Sequence, residues 1–487
     1  MNRDVKCKQP LPSSIDQIKG VHVIGIAGTL MGAFSIYLKK LGISVTGSDQ
    51  QIYAPMSDLL SESSISVNTG FSEDNIKKLK QKPDVVIIGN VVRPDNPEAI
   101  FAIKNNFCFI SLPEFMKNFF LEDTKNIVVS GTHGKTTTSS LLSYVLYSND
   151  INPNYFVGGV CHNLPSCFHI SDTGKNHPFV IEGDEYDTAF WDKGPKFFHY
   201  LPDHVVLTSI EFDHADIYTG DNEVYAVFEK LVKMVRPNGK IIACVDFPMV
   251  LDLIKKTSQS VVTYGSDVKV ADYSFNDVKV DDAGTSFNII KNENTVDRVK
   301  IRLFGRYNIL NTIAVWIEAK HLGLSNDQIK KSLFDFTGVK RRQEIVGVIN
   351  GVTVIDDFAH HPTSVKETLE GLRGRYKGSR LIAVFEPRSA TSRRSIFQKE
   401  YEKAFEAADE IWVSLPFDQT EIPVDDRFST RHLIEHLRSK NKKSYEMDSV
   451  DQCVLSLAED KKQGDVIVIL SNGGFDQIVK KLLKSLG

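Results

Sequence analysis

The chain has 487 residues, 41% of them hydrophobic and 25% charged, with a formal net charge of −4. That balance excludes a disordered chain, argues against a nucleic-acid binder, and leaves room for about three domains of ~150 residues each. Residues 1–20 hold no apolar signal core, no run of ~18 apolar residues follows, and the six cysteines form no C-x-x-C pair, so a soluble cytoplasmic chain with free thiols and no membrane association is expected.

The segment "VHVIGIAGTLMGAFSIYLKKLG" (21–42) reads as a buried strand, then a turn at Gly25, Gly28 and Gly32, then a helix closed by Gly42. "ISVTGSD" supplies a second strand that ends at Asp49, about twenty residues after the glycines. Together they predict the first βαβ unit of a Rossmann-like sheet, with a pyrophosphate at the helix start and an acid near a ribose or base. The spacing is G-x-x-G-x-x-x-G rather than the dinucleotide fingerprint. "PDVVIIGN" (83–90) adds another parallel strand.

"NIVVSGTHGKTTTSSLLSYVL" (126–146) places a glycine loop between a β-branched run and an apolar-periodic helix expected from Thr138. Unpaired N–H groups and the helix dipole favour an anion at such a junction. Lys135 adds a positive charge, and Thr136 adds a hydroxyl suited to Mg²⁺. The loop is a shortened P-loop, with Val129 where the longer form has glycine. "FVIEGDEYD" (179–187) and "HVVLTSIEFDHADIY" (204–218) are strands with acidic C-terminal ends, one carrying Glu182 and the other His214. Open α/β sheets bind ligands beyond those ends, and carboxylate with imidazole can hold divalent ions there. "FGRYNILNTIAVWIEA" (304–319) reads as an amphipathic helix with Asn308 and Asn311 in its first turn.

"TGVKRRQE" (337–344) is a charged hinge before a third doubly wound segment. "GVTVIDDFAHHPTSVKETLEGL" reads as a strand, an acidic-histidine loop and a helix begun at Pro362, while "RLIAVFEPRS" and "GDVIVILSNGGF" are further strands with polar ends. His360, Arg388 and Asn472 fall at strand C-termini. No Ser-His-Asp or Cys-His nucleophile pattern is present. Direct phosphoryl transfer to a substrate is therefore the simpler chemistry. The expected architecture is α/β in three domains: Rossmann-like 1–124, a central P-loop ATPase-type domain 125–337, and Rossmann-like 338–487.

The ordered motifs "VHVIGIAGTLMG", "GTHGKTTT", "EGDEYD", "IEFDHAD", "RRQE", "DDFAHHPT" and "SNGGF" resemble the Mur ligase family of peptidoglycan synthesis over nearly the whole chain. The resemblance implies an ATP-dependent carboxylate–amine ligase that phosphorylates UDP-N-acetylmuramate and lets a cell-wall peptide amine displace the phosphate. Within the family, "GTLMG", "FEPRS" and "SNGGF" look like the recycling branch that uses L-alanyl-γ-D-glutamyl-meso-diaminopimelate; free L-alanine is the alternative amine. ATP and Mg²⁺ are the implied cofactors, and a monomer or weak homodimer is the expected state.

By the same resemblance, Gly131, Thr132, His133, Gly134, Lys135, Thr136 and Thr137 grip the ATP phosphates, with Thr136 and Glu182 on one Mg²⁺ and His214 on a second. Asn308 and Asn311 match adenine-side asparagines, Asp356 a ribose-contacting acid, and Arg342 a γ-phosphate arginine. Gly28, Thr29, Met31 and Asp49 would cradle the UDP end, and Gly159 and Asn163 lie in a loop matching the muramyl contact. His360, Arg388, Ser389 and Asn472 are the expected peptide contacts. Lys135, Glu182, His214, His360 and Arg342 carry the catalytic roles. Tyr307 departs from a family histidine, Ser209 from a common asparagine, and "SATSRR" from the expected run after Ser389.

Overall fold

A computed structural model describes residues 7, 9–52, 56–171 and 175–487; part of the stretch 1–20 expected to hold no apolar signal core, residues 1–6 and 8, lies outside them. The chain divides into two compact units, the first built of 1–210, 225–243 and 248–262, the second of 211–224, 244–247 and 263–487.

The first unit opens with five parallel strands, Gly20–Ile24 (β1), Ser44–Asp49 (β2), Ser66–Thr69 (β3), Val85–Ile88 (β4) and Phe109–Ile110 (β5), in the order β3-β2-β1-β4-β5. β1 and β4 are buried along their whole length. Helices on both faces of a parallel sheet demand such unbroken apolar runs, and this is why "VVII" shows no alternation. This is the Rossmann-like order that the first glycine turn predicted.

The same unit holds Lys125–Ser130 (β6), Asn154–Phe156 (β7), Phe168–His169 (β8), Pro178–Gly183 (β9) and His204–Leu207 (β10), and most of Lys240–Cys244 (β11) and of Ser260–Tyr264 (β12), ordered β8-β7-β9-β6-β10-β11-β12. β6 lies between β9 and β10, parallel to both. The phosphate loop thus leaves from the middle of a sheet, where its strand is held on either side.

In the second unit, Tyr273–Asp281 (β13), Gly284–Lys291 (β14) and Asn294–Ile301 (β15) form an antiparallel meander. The sequence reading passed over it, although Asn292 and Glu293, with φ of 47° and 68°, form the left-handed turn that a tight hairpin needs. The last sheet contains Glu344–Ile349 (β16), Val352–Asp357 (β17), Leu381–Phe385 (β18), Glu410–Ser414 (β19), Lys443–Met447 (β20) and Val466–Leu470 (β21), ordered β16-β17-β21-β18-β19-β20. β16 alone is antiparallel, turned back at Asn350-Gly351. Two apolar clusters cover this sheet, one anchored by Phe385, Tyr401 and Phe405, the other by Met447 and Leu482.

The helix Arg306–His321 departs from its expected amphipathic character. Asn308 through Ala319 are all buried, so the helix runs through an interior rather than along a surface, and an all-round apolar pattern is what that position requires. Trp316 sits in it at 1% exposure. Trp191 packs edge-on against Phe109 of the first sheet, and Trp412 of β19 stacks on Tyr445 at 4.3 Å. Among the described residues no helix is long and apolar enough to cross a membrane.

Candidate active site

The phosphate loop begins where β6 ends at Ser130. Gly131 has φ of 135°, and a Cβ there would stand 2.3 Å from Thr208 Oγ1 and 2.7 Å from the Ser209 amide nitrogen. Only glycine fits both the backbone angle and the space. Thr208 Oγ1 donates to the His133 carbonyl, and the His133 N–H donates to Ser209 Oγ at 2.8 Å, tying the loop to the end of β10. Ser209 therefore has a structural task at the position where asparagine was expected. Gly134, at φ 82°, turns the chain into the helix Lys135–Tyr147. The helix starts three residues earlier than the apolar spacing indicated, because its first turn is threonine and serine packed inward.

Lys135 Nζ donates to the Gly131 carbonyl at 2.7 Å and to both oxygens of Glu185 at 2.9 and 2.7 Å. Burial alone would lower the ammonium's pKa, but Glu185, Asp184 and Glu182 outweigh it and hold the pKa above the ordinary lysine value. The lysine is a fixed cation at the loop. Glu185 was not singled out from the sequence; it is the last acid of "EGDE", turned toward the loop where β9 ends.

Thr136 Oγ1 donates to Glu182 Oε1 at 2.8 Å, while the Gly158 N–H donates to Glu182 Oε2 at 2.6 Å. A Cβ on Gly158 would lie 2.5 Å from that carboxylate. A hydroxyl and a carboxylate at this separation, beside a helix N-terminus, are the hard oxygen donors that Mg²⁺ takes, so the residues fit the ion. The loop after β7 thereby reaches the same carboxylate as the phosphate-loop threonine.

Gly28, Thr29 and Met31 come together on one cavity of ≈ 220 Å³, shared with Asn90, Lys196 and Tyr200. Asp49, Gly159 and Asn163 do not line it. Asp49 Oδ2 accepts the Ala27 N–H at 2.8 Å, and the Ser48 carbonyl accepts Gly25 N–H and Ile26 N–H. The end of β2 thus holds the glycine turn in shape from behind.

The remaining expected residues belong to the second unit. Asp213, 4% exposed, accepts Thr391 Oγ1 at 2.6 Å and the His214 N–H at 2.7 Å, and its other oxygen is 3.7 Å from His360 Nε2. That last separation is a charge pair's, longer than a hydrogen bond. Burial would raise the Asp213 pKa; the imidazoles of His360, His214 and His361 hold it well below the usual carboxylate range. His361 caps the helix Pro362–Arg375 by accepting the Thr363 N–H, and Thr363 meets Glu211 at 3.1 Å. The sequence clusters "EFDHAD" and "DDFAHH" are therefore neighbours.

At the end of β17, burial pushes the Asp356 carboxyl up to about 6 despite Arg341 Nε at 3.2 Å. Arg341, not proposed from sequence, also donates to the Ser471 and Gly473 carbonyls. Arg342 stacks over Phe358 with 4.7 Å to the ring centre. Asn308 donates back to the Phe304 carbonyl, and Asn311 Nδ2 lies 3.4 Å from Asn308 Oδ1. Arg388 lies 4.0 Å over the Phe417 ring and 3.3 Å from Glu386 Oε1, whose other oxygen accepts Ser471 Oγ. Ser389 bonds Ser392, and Asn472 Oδ1 is buried with no protein partner. Glu386, Ser471 and Phe417 are the members of this set that sequence reading missed.

Three family models cover the chain: Mur ligase family, catalytic domain, over 20–123; Mur ligase middle domain over 129–319; and Mur ligase, glutamate ligase domain, over 341–473. A UDP-N-acetylmuramate–L-alanyl-γ-D-glutamyl-meso-2,6-diaminoheptandioate ligase from Escherichia coli K12 is 34% identical, covering 96% of this chain and 98% of its own. A UDP-N-acetylmuramate–L-alanine ligase from Clostridium tetani is 32% identical, covering 94% and 96%. The crystal structure of a murein peptide ligase from Psychrobacter arcticus matches with a TM-score of 0.71 at 30% identity, over 96% and 99% of the two chains. A lysine-gripped phosphate loop in a three-sheet α/β chain, matched end to end by these relatives, makes this protein a member of the Mur ligase family.

Proposed function

We propose that the chain is an ATP-dependent ligase joining the lactyl carboxylate of UDP-N-acetylmuramate to the amine of L-alanyl-γ-D-glutamyl-meso-diaminopimelate, in peptidoglycan recycling in the cytoplasm. The observation that carries this reading is the 34% identity, over 96% of the chain, to the E. coli ligase of that name. The Lys135, Thr136 and Glu182 constellation supports it. The segments 1–124, 125–337 and 338–487 are taken as the UDP-substrate, ATP and peptide domains, in a monomer or weak homodimer.

The carboxylate is already ionised at neutral pH, so its attack on the γ-phosphate needs no base. Two unit charges 4 Å apart repel by about 4 kcal/mol at an effective dielectric near 20. Cations offset this, and Lys135 and Arg342 are the chain's own. Thr136 with Glu182 would hold one Mg²⁺ and His214 a second, and such ions would supply further charge neutralisation on the phosphates. Asn308 and Asn311 take the adenine side and Asp356 the ribose.

The acyl phosphate so formed is then captured by the peptide amine. With an amine pKa near 8, roughly a tenth is neutral at pH 7, so a base recovers only about 1.4 kcal/mol. Orientation supplies more. His360, set beside buried Asp213, positions the amine or relays its proton. Arg388, with guanidinium N–H groups beyond the one facing Glu386, suits a peptide bearing several carboxylates, and Asn472 Oδ1, an acceptor, suits one of that peptide's N–H groups.

The L-alanine reading has the support of the 32% relative. Phosphate release by purified protein separates the two: turnover with the tripeptide and not with alanine is expected, and the reverse result overturns the recycling assignment.

A further inference from the structure

The acids at the end of β9 bind two different lysines. Glu185 holds Lys135 at 2.7 Å, and Asp184, its neighbour in sequence, holds Lys196 at 2.6 Å. Lys135 serves the phosphate loop. Lys196 lines the cavity formed with Gly28, Thr29 and Met31, and of the described residues lining that cavity it alone carries a charge. Its side chain is only 17% exposed, and its backbone N–H is fixed by the Tyr186 carbonyl. Tyr200, at 1% exposure, shares the cavity wall, and burial with the charges of Asp184 and Glu182 raises its phenol's pKa.

We propose that Lys196 is the sugar-nucleotide counterpart of Lys135: the cation that binds an oxyanion of the nucleotide sugar in the glycine-turn cavity. Adjacent carboxylates just after β9 then carry the two substrate-binding cations. An ammonium paired with the Asp184 carboxylate retains protons for a second acceptor, and of the described residues lining the cavity only Lys196 offers a full positive charge to an oxyanion. The assignment rests on the reading of UDP-N-acetylmuramate as substrate. Two oxyanions on that molecule qualify, the diphosphate and the lactyl carboxylate.

The test is calorimetric titration of wild type, Lys196→Met and Lys196→Arg with UDP-N-acetylmuramate, with UDP-N-acetylglucosamine, which keeps the diphosphate but lacks the carboxylate, and with ADP. The methionine variant is expected to lose about 10- to 100-fold in affinity for the muramate, as a lost charged hydrogen bond would give. ADP binding should stay within about twofold, and arginine should restore part of the loss. An equal loss for both sugar nucleotides assigns Lys196 to the diphosphate; a loss for the muramate alone assigns it to the carboxylate. Unchanged affinity for the muramate in a folded Lys196→Met protein overturns the proposal and leaves the substrate reading intact. Wild type that binds neither sugar nucleotide overturns the substrate reading itself. Should the methionine variant fail to fold, Lys196→Gln takes its place in the same titrations.

Discussion

The Lys135 side chain is 13% exposed and its partner Glu185 3% exposed, so the pair is a structural element as well as a phosphate grip. Removing one member of a buried pair strands the other charge, at about 3–5 kcal/mol. Lys135→Met is therefore expected to abolish ATP turnover and also to lower the melting temperature, while Lys135→Met with Glu185→Gln recovers stability but not activity. Equal melting temperatures for the single and double variants would refute the pairing. Asp356 makes a pH prediction. Its carboxyl keeps its proton up to about pH 6 in the folded chain and only to about 3.9 when unfolded. The stability it supports is whole below pH ~4 and is lost as the pH rises through about 6, a change of roughly 3 kcal/mol. Asp356→Asn should then melt higher than wild type at pH 8 and not at pH 4.5, as thermal unfolding at the two pH values will show.

Gly131, Gly134 and Lys135 were legible because a strand, a glycine turn and a helix start lie within a dozen residues, and local backbone demands leave a local signature. Gly131→Ala should weaken ADP binding at least about tenfold, since its Cβ would press on Thr208 and on the Ser209 backbone; calorimetry that finds wild-type affinity would show the loop to be more yielding than its geometry. Elements without such punctuation fared worse. The β13–β15 meander has runs of exposed residues along β13 and β15 in place of a clean alternation, and its turns use Asn-Glu and Asp-Ala-Gly rather than the strongest hairpin pairs. The helix Arg306–His321 has its apolar residues all around, and periodicity cannot say which face is inward when every face is. Its asparagines were found through resemblance, not pattern.

Across the whole molecule, three sheets each place polar residues beyond their strand ends, and this much followed from the alternation of strands and helices. Pairings made over long stretches of chain did not. Asp213 and Thr391 are 178 positions apart, and no feature near either residue announces the other. The choice of Lys196 by Asp184 and of Lys135 by Glu185 is equally invisible in "EGDEYD", where the two acids are indistinguishable. The cysteines, by contrast, behave as their scatter implied: all six are free, and only Cys7 is not buried. A thiol reagent should modify about one cysteine quickly in the native protein and all six after denaturation; two or more fast thiols would contradict the burial. The aromatic placement has a spectroscopic outcome. Of the chain's three tryptophans, Trp191 leans on the first sheet, Trp316 lies inside the helix Arg306–His321, and Trp412 belongs to the last sheet. Replacing two of them at a time with phenylalanine leaves a single emitter in a different segment each time, so denaturant titrations can resolve whether the segments lose their structure together or in sequence, without any attached label.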